Sequence, residues 1–396
     1  MQFIEAVFGH SFCDHFSWGD LDINYDVFLE NYLQSRKINS FDHFSNLMSD
    51  LWKISINNLL TSNLNKKVCI PLSGGYDSRL ILNYFFQEHQ NQEILTSTFG
   101  IRGSREIKIA KNISEIFNVS HKTTFIEKFN FLSLLDSNSD NTRNGINLLH
   151  RALNISCHRS DFILNGFLAN TLAGNHLSNI EEKFEDAFDR YLNTEINVNL
   201  LKTNFPSFYK NIKNKVENAI NVKAFERLNI SNYEKIIISQ RQKMRIKFIL
   251  GNDKNFVHSP FADPAIAGLL LGLNSSYRSN QVFYQNWVKN KFIEKIQNFR
   301  TSKYIYLREN LINKKFKNFL YILIKSQGKL HNLSRGLIFP YFSNYGRDLF
   351  LISKNETYKK LLEKFNNKDY FLIAERLGSR HYTNQKIISY NVGRLY

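Results

Sequence analysis

The sequence predicts an α/β protein with a doubly wound parallel sheet, followed by a helical second half. Three observations predict this fold class. Between residues 65 and 180, short apolar runs alternate with amphipathic helical stretches, which is typical of βαβ crossovers. The first apolar run is joined to its helix by a Gly-Gly turn. After residue 180 the pattern becomes almost wholly helical and more charged.

Each element follows from its own local pattern. Apolar residues recur at helical spacing from Phe28 to Leu60, so residues 1–64 are predicted to be a helical lead-in. Residues 65–180 are predicted to form the α/β core, and residues 181–396 a helical half that binds the substrate. Ser104 is a candidate N-cap for the helix that follows the second strand. The predicted strands are Val68–Leu72, Ile94–Phe99, Val119–Ile126 and Phe162–Leu164.

Composition excludes several classes of protein. The chain has 396 residues, 43% of them hydrophobic, with only 17 Gly and 5 Pro, so a disordered or collagen-like chain is excluded. The three cysteines form no close pair that would indicate a disulfide framework or a zinc site. The first residues lack the pattern of a signal peptide, and the longest apolar runs are too short to span a bilayer. We expect a cytoplasmic protein.

The charge balance points to a polyanionic partner or to a compositional bias. The formal net charge is +17. Residues 300–335 contain nine basic residues and one acidic residue, with apolar residues at helical spacing among them. RNA or an anionic membrane surface could bind this stretch. A bias toward Asn, Ile and Lys across a whole proteome would produce the same net charge.

One loop contains the residues that most directly predict a chemical function. It reads Ser73-Gly74-Gly75-Tyr76-Asp77-Ser78 and lies between a predicted strand and a predicted helix. Adjacent glycines let the backbone turn tightly, and the N-terminus of the helix attracts anions, so the loop is predicted to cradle phosphates. It is neither GxxxxGK[ST] nor GxGxxG. A turn that simply joins a buried strand to a helix is the alternative interpretation.

The loop resembles the pyrophosphate loop of the N-type ATP pyrophosphatases. Its flanks, and the turn Ser259-Pro260-Phe261-Ala262-Asp263, are similar to the synthetase domain of asparagine synthase. Weaker similarity extends over roughly residues 40–396, including the last stretch, 387–396. The resemblance implies an adenine nucleotide α hydrolase-like fold that uses ATP with Mg²⁺.

The resemblance also implies roles for individual residues. Asn170 replaces the metal-binding Asp of the family's second loop, and the family's catalytic Lys has no clean counterpart, with Lys289 and Arg278 as candidates. The implied nucleotide-binding residues are Leu72, Ser73, Gly74, Gly75, Asp77, Ser78, Phe99, Gly100 and Gly166; the implied catalytic residues are Asp77, Lys289 and Arg278; and the implied metal ligands are Asp77 and Asn170.

The function that this resemblance implies is an AMP-forming ligase. It would adenylate a small-molecule carboxylate and pass it to an amine or ammonia, in the synthesis of a surface glycan or a specialised metabolite. The family's glutaminase is not found here, so a separate glutaminase could supply the nitrogen. Two alternatives stay open at this point: a tRNA-modifying enzyme with the same loop, and a nucleotide-binding scaffold that has lost catalysis.

Overall fold

The computed structural model describes residues 12–61, 67–89, 93–100, 105–125, 162–175, 177, 183–193, 198–243 and 256–297. Two stretches singled out in the sequence, 300–335 and 387–396, lie outside the described residues. In the described ranges, no helix is long and apolar enough to cross a membrane.

A five-stranded parallel sheet lies at the centre of the described structure. The strand order is β3-β2-β1-β4-β5, with every neighbouring pair parallel. This arrangement confirms the predicted α/β class. The strands are β1 Val68–Pro71, β2 Ile94–Gly100, β3 Ser120–Phe125, β4 Phe162–Leu164 and β5 Phe256–His258.

Helices connect β1 to β2 and β2 to β3, and they make up most of the described residues after β4. Short 3-10 turns at Trp18–Leu21, Pro260–Ala262 and Ser279–Gln281 and a π-helical stretch at Ile237–Gln242 interrupt the α-helices. The α-helices are α1 Tyr25–Ser35, α2 Phe41–Thr61, α3 Tyr76–Glu88, α4 Arg105–Ile116, α5 Ala169–Leu172, α6 Phe184–Leu192, α7 Val198–Asn204, α8 Pro206–Ile220, α9 Lys223–Glu226, α10 Asn232–Ile236, α11 Pro264–Gly272, α12 Ser275–Arg278, α13 Val282–Lys291 and α14 Glu294–Gln297.

Alternation along the strands divides the sheet residues between two faces. Val68 and Ile70 of β1 belong to a large hydrophobic cluster that also contains α1–α4, α11 and α13. Cys69 points the other way and packs with Ile163 and Val257. Since successive side chains in a strand lie on opposite faces, β1 is buried on both sides, as a central strand should be.

The helical lead-in packs directly on a helix that follows the sheet. Gly268 and Gly272 of α11 lie against the backbone of α1, and a Cβ added at Gly268 would lie 2.2 Å from the carbonyl oxygen of Phe28. Two glycines four residues apart share one helix face, so the two helix backbones can approach closely there. Residues 12–61 therefore share a core with residues that lie more than 200 positions later.

A second, smaller cluster holds α6, α7, α8 and α10 together. Its buried residues include Phe188, Tyr191, Leu201, Val216 and Ile236. These four helices lie in the first part of the stretch, residues 181–396, that the sequence predicts to be helical. The sequence pattern gave no indication of β5, because only Phe256 and Val257 of its three residues are apolar and a proline-containing turn follows at once.

Candidate nucleotide-binding site

The strand order places a crevice between the carboxyl ends of β1 and β4. The chain runs from β1 to β2 and β3 on one side of the sheet, and β4 and β5 lie on the other side. In open parallel sheets, ligands bind where the order reverses in this way, at the carboxyl edge. Loop 72–75 leaves β1 at this edge, and Gly166 follows the end of β4.

Serine hydroxyls hold the loop in shape. The backbone N–H of Ser73 donates to Oγ of Ser78 over 3.1 Å, and the N–H of Gly75 donates to Oγ of Ser73 over 3.1 Å. The two hydroxyls lie 3.2 Å apart. Gly75 is the N-cap of α3 and supplies no side-chain hydrogen bond there. The start of α3 therefore follows a loop that is braced by its own side chains, with Ser78 buried beneath it.

Both backbone polar groups of Leu72, the first residue of the loop, make hydrogen bonds with residues of β2. Its N–H donates to the carbonyl of Ser97 over 2.7 Å, and its carbonyl accepts from Oγ1 of Thr98 over 2.6 Å. These contacts fix the position of the loop relative to β2. The predicted contact of Leu72 with adenosine stays a prediction, as does that of Phe99 and Gly100, which end β2 at the same edge.

Gly166 lies directly against the start of α3. A Cβ added there would lie 2.5 Å from Cβ of Asp77 and 3.4 Å from the N–H nitrogen of Ser78. Two carbons do not normally approach closer than about 3.5 Å, so only glycine fits at this position. The sequence placed Gly166 in a second loop beside the phosphates, and the structure brings it to the helix start that the first loop leads into.

Asp77 accepts two hydrogen bonds from residues far away in the sequence. The hydroxyl of Tyr284 donates to its Oδ1 over 2.7 Å, and Nδ2 of Asn170 donates to its Oδ2 over 3.0 Å. A carboxylate accepts only, so the amide nitrogen of Asn170 faces it. The carboxylate is thus fixed in the first turn of α3, where the helix dipole favours negative charge.

The two basic residues predicted to be catalytic lie in different surroundings. Lys289 is in the last turn of α13, and its Nζ lies 5.7 Å from the ring centroid of Tyr76, the residue that follows the loop. Arg278 is 3% exposed and donates to the carbonyl of Leu172 and to a carboxylate oxygen of Glu234. These contacts favour a structural role for Arg278 over the predicted catalytic one. Lys289 remains a candidate for contact with the nucleotide.

Two residues at the crevice were not predicted as site residues. Asn165, at the end of β4, is 8% exposed; its Oδ1 accepts from the N–H of Phe167, and its Nδ2 has no hydrogen-bond partner within the described residues. Oγ of Ser259 donates to the carbonyl of Phe167 over 2.6 Å. A buried amide donor without a protein partner is a candidate to bind an oxygen of a ligand. In the sequence, Asn165 is the first residue of the stretch that resembles the family's second loop, but no site role was predicted for it.

The residues present fit a magnesium ion that arrives with ATP. Mg²⁺ prefers carboxylate and phosphate oxygens, and Asp77 offers a carboxylate beside the loop. Oδ1 of Asn170 accepts from Nε2 of Gln281 over 3.2 Å, so the oxygen predicted to bind metal has a protein partner, and its role as a ligand stays a prediction. Across the described ranges, no group of three or more His, Cys, Asp or Glu gathers as a metal site. Most ligands of the ion would then come from the nucleotide and water.

Comparison with known proteins points to the same loop. The family model described as queuosine biosynthesis protein QueC matches residues 67–152, a stretch that contains β1 to β3 and the loop. A 7-cyano-7-deazaguanine synthase from Psychromonas ingrahamii is 36% identical over 81 residues. Those residues make up 19% of this chain and 37% of the relative. The alignment therefore covers little more than a third of the relative's length.

These similarities support the N-type ATP pyrophosphatase class that the loop predicts. They do not support the finer resemblance to asparagine synthase. The family match ends at residue 152, before β4, β5 and the helices that surround Asp77. The similarity accordingly covers β1 to β3 and the loop that leads into Asp77, and it does not cover Tyr284 and Asn170, which donate to Asp77.

Proposed function

We propose that the protein is an ATP-dependent synthase that releases pyrophosphate and activates a carboxylate for attack by nitrogen. The observation behind this proposal is that the QueC match contains the Ser-Gly-Gly loop. Hydrogen bonds within the loop hold its shape, and the loop leads into Asp77 at the start of a helix. Such a loop can hold the β- and γ-phosphates as negative charge develops on them. Magnesium, when bound with ATP, neutralises part of that charge.

The chemistry balances in two steps. A carboxylate oxygen of the substrate attacks the α-phosphorus, the bond to the β-phosphate oxygen breaks, and pyrophosphate leaves. Ammonia or an amine then attacks the acyl carbon, AMP leaves, and the nitrogen loses a proton. In this proposal the loop holds the phosphates, Tyr284 orients Asp77, and Gly166 lets the segment after β4 pack against the start of α3.

For the substrate we propose a carboxylate on a purine-like or deazapurine ring, in a pathway that leads to a modified nucleoside. The relative is named as a synthase of 7-cyano-7-deazaguanine. A nitrile carbon is at the oxidation level of a carboxylate, so no oxidant is needed: the two steps above would give an amide, and a second ATP would activate the amide oxygen so that it leaves and the nitrile forms. This substrate class belongs to the alternative that the sequence left open, a loop of this kind used in tRNA modification.

An amide ligase of asparagine-synthase type is the second candidate. Its support is the resemblance of the turn after β5, residues 259–263, to that family; in the structure Ser259 caps a 3-10 turn there, and the side chain of Asp263 accepts from the N–H groups of Ala265 and Ile266. This turn lies at the same edge of the sheet as the loop and outside the family match. Both candidates require the same first step, the adenylation of a carboxylate, and they differ in which carboxylate is activated.

The test measures pyrophosphate release and the adenylate itself. The full chain is incubated with Mg·ATP and hydroxylamine, which traps acyl-adenylates as hydroxamates, and with two panels of carboxylates: purine and deazapurine acids, and amino or sugar acids. Hydroxamate from the first panel supports the main proposal, and hydroxamate from the second supports the amide ligase. Nucleotide binding without pyrophosphate release in either panel would contradict both and indicate a nucleotide-binding scaffold.

Asp77→Ala is the matching variant, and we expect it to abolish pyrophosphate release while the protein stays folded. Asp26→Ala is the control, because Asp26 is likewise in the first turn of a helix but is exposed and remote in sequence. Equal turnover in Asp77→Ala and the unmodified protein would refute the role of Asp77.

A further inference from the structure

Helix α13 reaches the candidate site through a buried tyrosine. Tyr284 is 3% exposed, and its hydroxyl donates to Oδ1 of Asp77 over 2.7 Å. The phenol is an uncharged donor held inside the protein, so it can fix one oxygen of the carboxylate in place.

A chain of amides reaches the other oxygen of the same carboxylate. Nε2 of Gln285 donates to Oε1 of Gln281 over 3.2 Å. Nε2 of Gln281 donates to Oδ1 of Asn170 over 3.2 Å, and Nδ2 of Asn170 donates to Asp77 over 3.0 Å. Each donor in this chain points toward Asp77. Hydrogen bonds aligned in this way polarise one another, and the last one, to a charged acceptor, gains most.

The backbone before α13 is held in an unfavourable conformation. Asn280 and Gln281 have φ values of 53° and 60°, so two consecutive residues that are not glycine lie in the left-handed region. Such conformations persist only where the surroundings hold them, and they occur often at functional sites. Here the bend places the amide of Gln281 on Asn170 and begins the helix that carries Tyr284.

We propose that Tyr284 is a positioning residue for Asp77, acting together with Asn170. The two donors fix the carboxylate beside loop 72–75 before Mg·ATP binds, so the site does not have to order this side chain during binding. The inference rests on the proposed function, since it assumes that Asp77 serves the metal and the phosphates. The family match ends at residue 152, and Tyr284 and Asn170 both lie beyond it.

The test compares Tyr284→Phe with Tyr84→Phe. Tyr84, on α3, also has a buried hydroxyl, but this hydroxyl has no hydrogen-bond partner within the described residues. Two quantities are measured in the full chain: the affinity for Mg·ATP by calorimetry, and the magnesium concentration that gives half-maximal pyrophosphate release. We expect Tyr284→Phe to weaken the affinity and raise the magnesium requirement about tenfold, with little effect on the unfolding temperature. Tyr84→Phe should change neither.

A double variant shows whether Tyr284 acts through Asp77. If it does, Asp77→Ala/Tyr284→Phe binds Mg·ATP as weakly as Asp77→Ala alone, because the second change removes a donor that has lost its acceptor. A further tenfold loss in the double variant would overturn the proposal. So would equal shifts in Tyr284→Phe and Tyr84→Phe. If the unmodified protein binds no Mg·ATP, the proposed function fails and this inference fails with it; if it binds and turns over ATP while Tyr284→Phe is unaffected, only this inference fails.

Discussion

Replacing Gly166 with alanine tests whether the second loop must touch the start of α3. The new Cβ would lie 2.5 Å from Cβ of Asp77 and 3.3 Å from its carbonyl carbon. Non-bonded carbons are at their optimum about 3.5–4.0 Å apart, so the first contact is about 1 Å or more too short. Neither Cβ can rotate away, because each is attached directly to the backbone. The segment after β4 and the start of α3 must therefore move apart by about 1 Å.

This displacement should affect both stability and turnover. Overpacking of this kind costs about 1–3 kcal/mol of unfolding free energy. A shift of about 1 Å in a residue that positions a reacting group can lower the rate on the order of 100-fold. Urea unfolding and pyrophosphate release are measured side by side. Gly19→Ala is the control, since its Cβ would find an ordinary contact of 3.6 Å to Oγ of Ser17. Unchanged stability and turnover in Gly166→Ala would refute the close approach.

Three other changes probe the packing and the charges. Gly268→Ala places a Cβ 2.2 Å from a backbone carbonyl oxygen of α1, and we expect urea unfolding to show a loss of about 3 kcal/mol. Arg278→Gln leaves Glu234 buried without its cation, so stability should fall by about 3–5 kcal/mol; lost turnover at unchanged stability would restore the catalytic role. Burial, and then the charge of Lys111, lower the pKa of His121 below 6.5. The unfolded chain then binds more protons as the pH falls below 6.5, so the urea midpoint should be lower at pH 5.5 than at pH 7.5, and His121→Gln should reduce that difference.

The parts of the site that could be predicted are those that a few consecutive residues determine. The Ser-Gly-Gly sequence and the alternation of strand and helix patterns are local, so the loop and the position of Asp77 in the first turn of α3 follow from the sequence. Gly166 was assigned to the site by the resemblance to the family's second loop, and the apolar run before it placed it after a strand. The parallel sheet follows from the same alternation, and the structure confirms it.

What the sequence could not show are pairings between distant residues. Tyr284 and Asp77 are 207 positions apart, and nothing in the pattern of α13 marks the tyrosine as different from other apolar-face residues. Arg278 was a catalytic candidate because the sequence shows its charge but not its partner. That partner, Glu234, lies 44 positions away. A buried ion pair and a catalytic cation have the same appearance in a sequence without the fold.

The residues of the candidate site that lie outside the matched stretch, 67–152, bear on which substrate the protein binds. The loop lies in residues 67–152, whereas both donors to the carboxylate of Asp77, Tyr284 and Asn170, lie outside that range. Asn165, whose Nδ2 has no hydrogen-bond partner among the described residues, is outside it as well. A carboxylate substrate bound at the end of β4 would therefore contact residues that lie outside the matched stretch. Asn165→Ala should consequently weaken binding of the carboxylate substrate more than binding of Mg·ATP, and equal weakening of both would place Asn165 on the nucleotide instead.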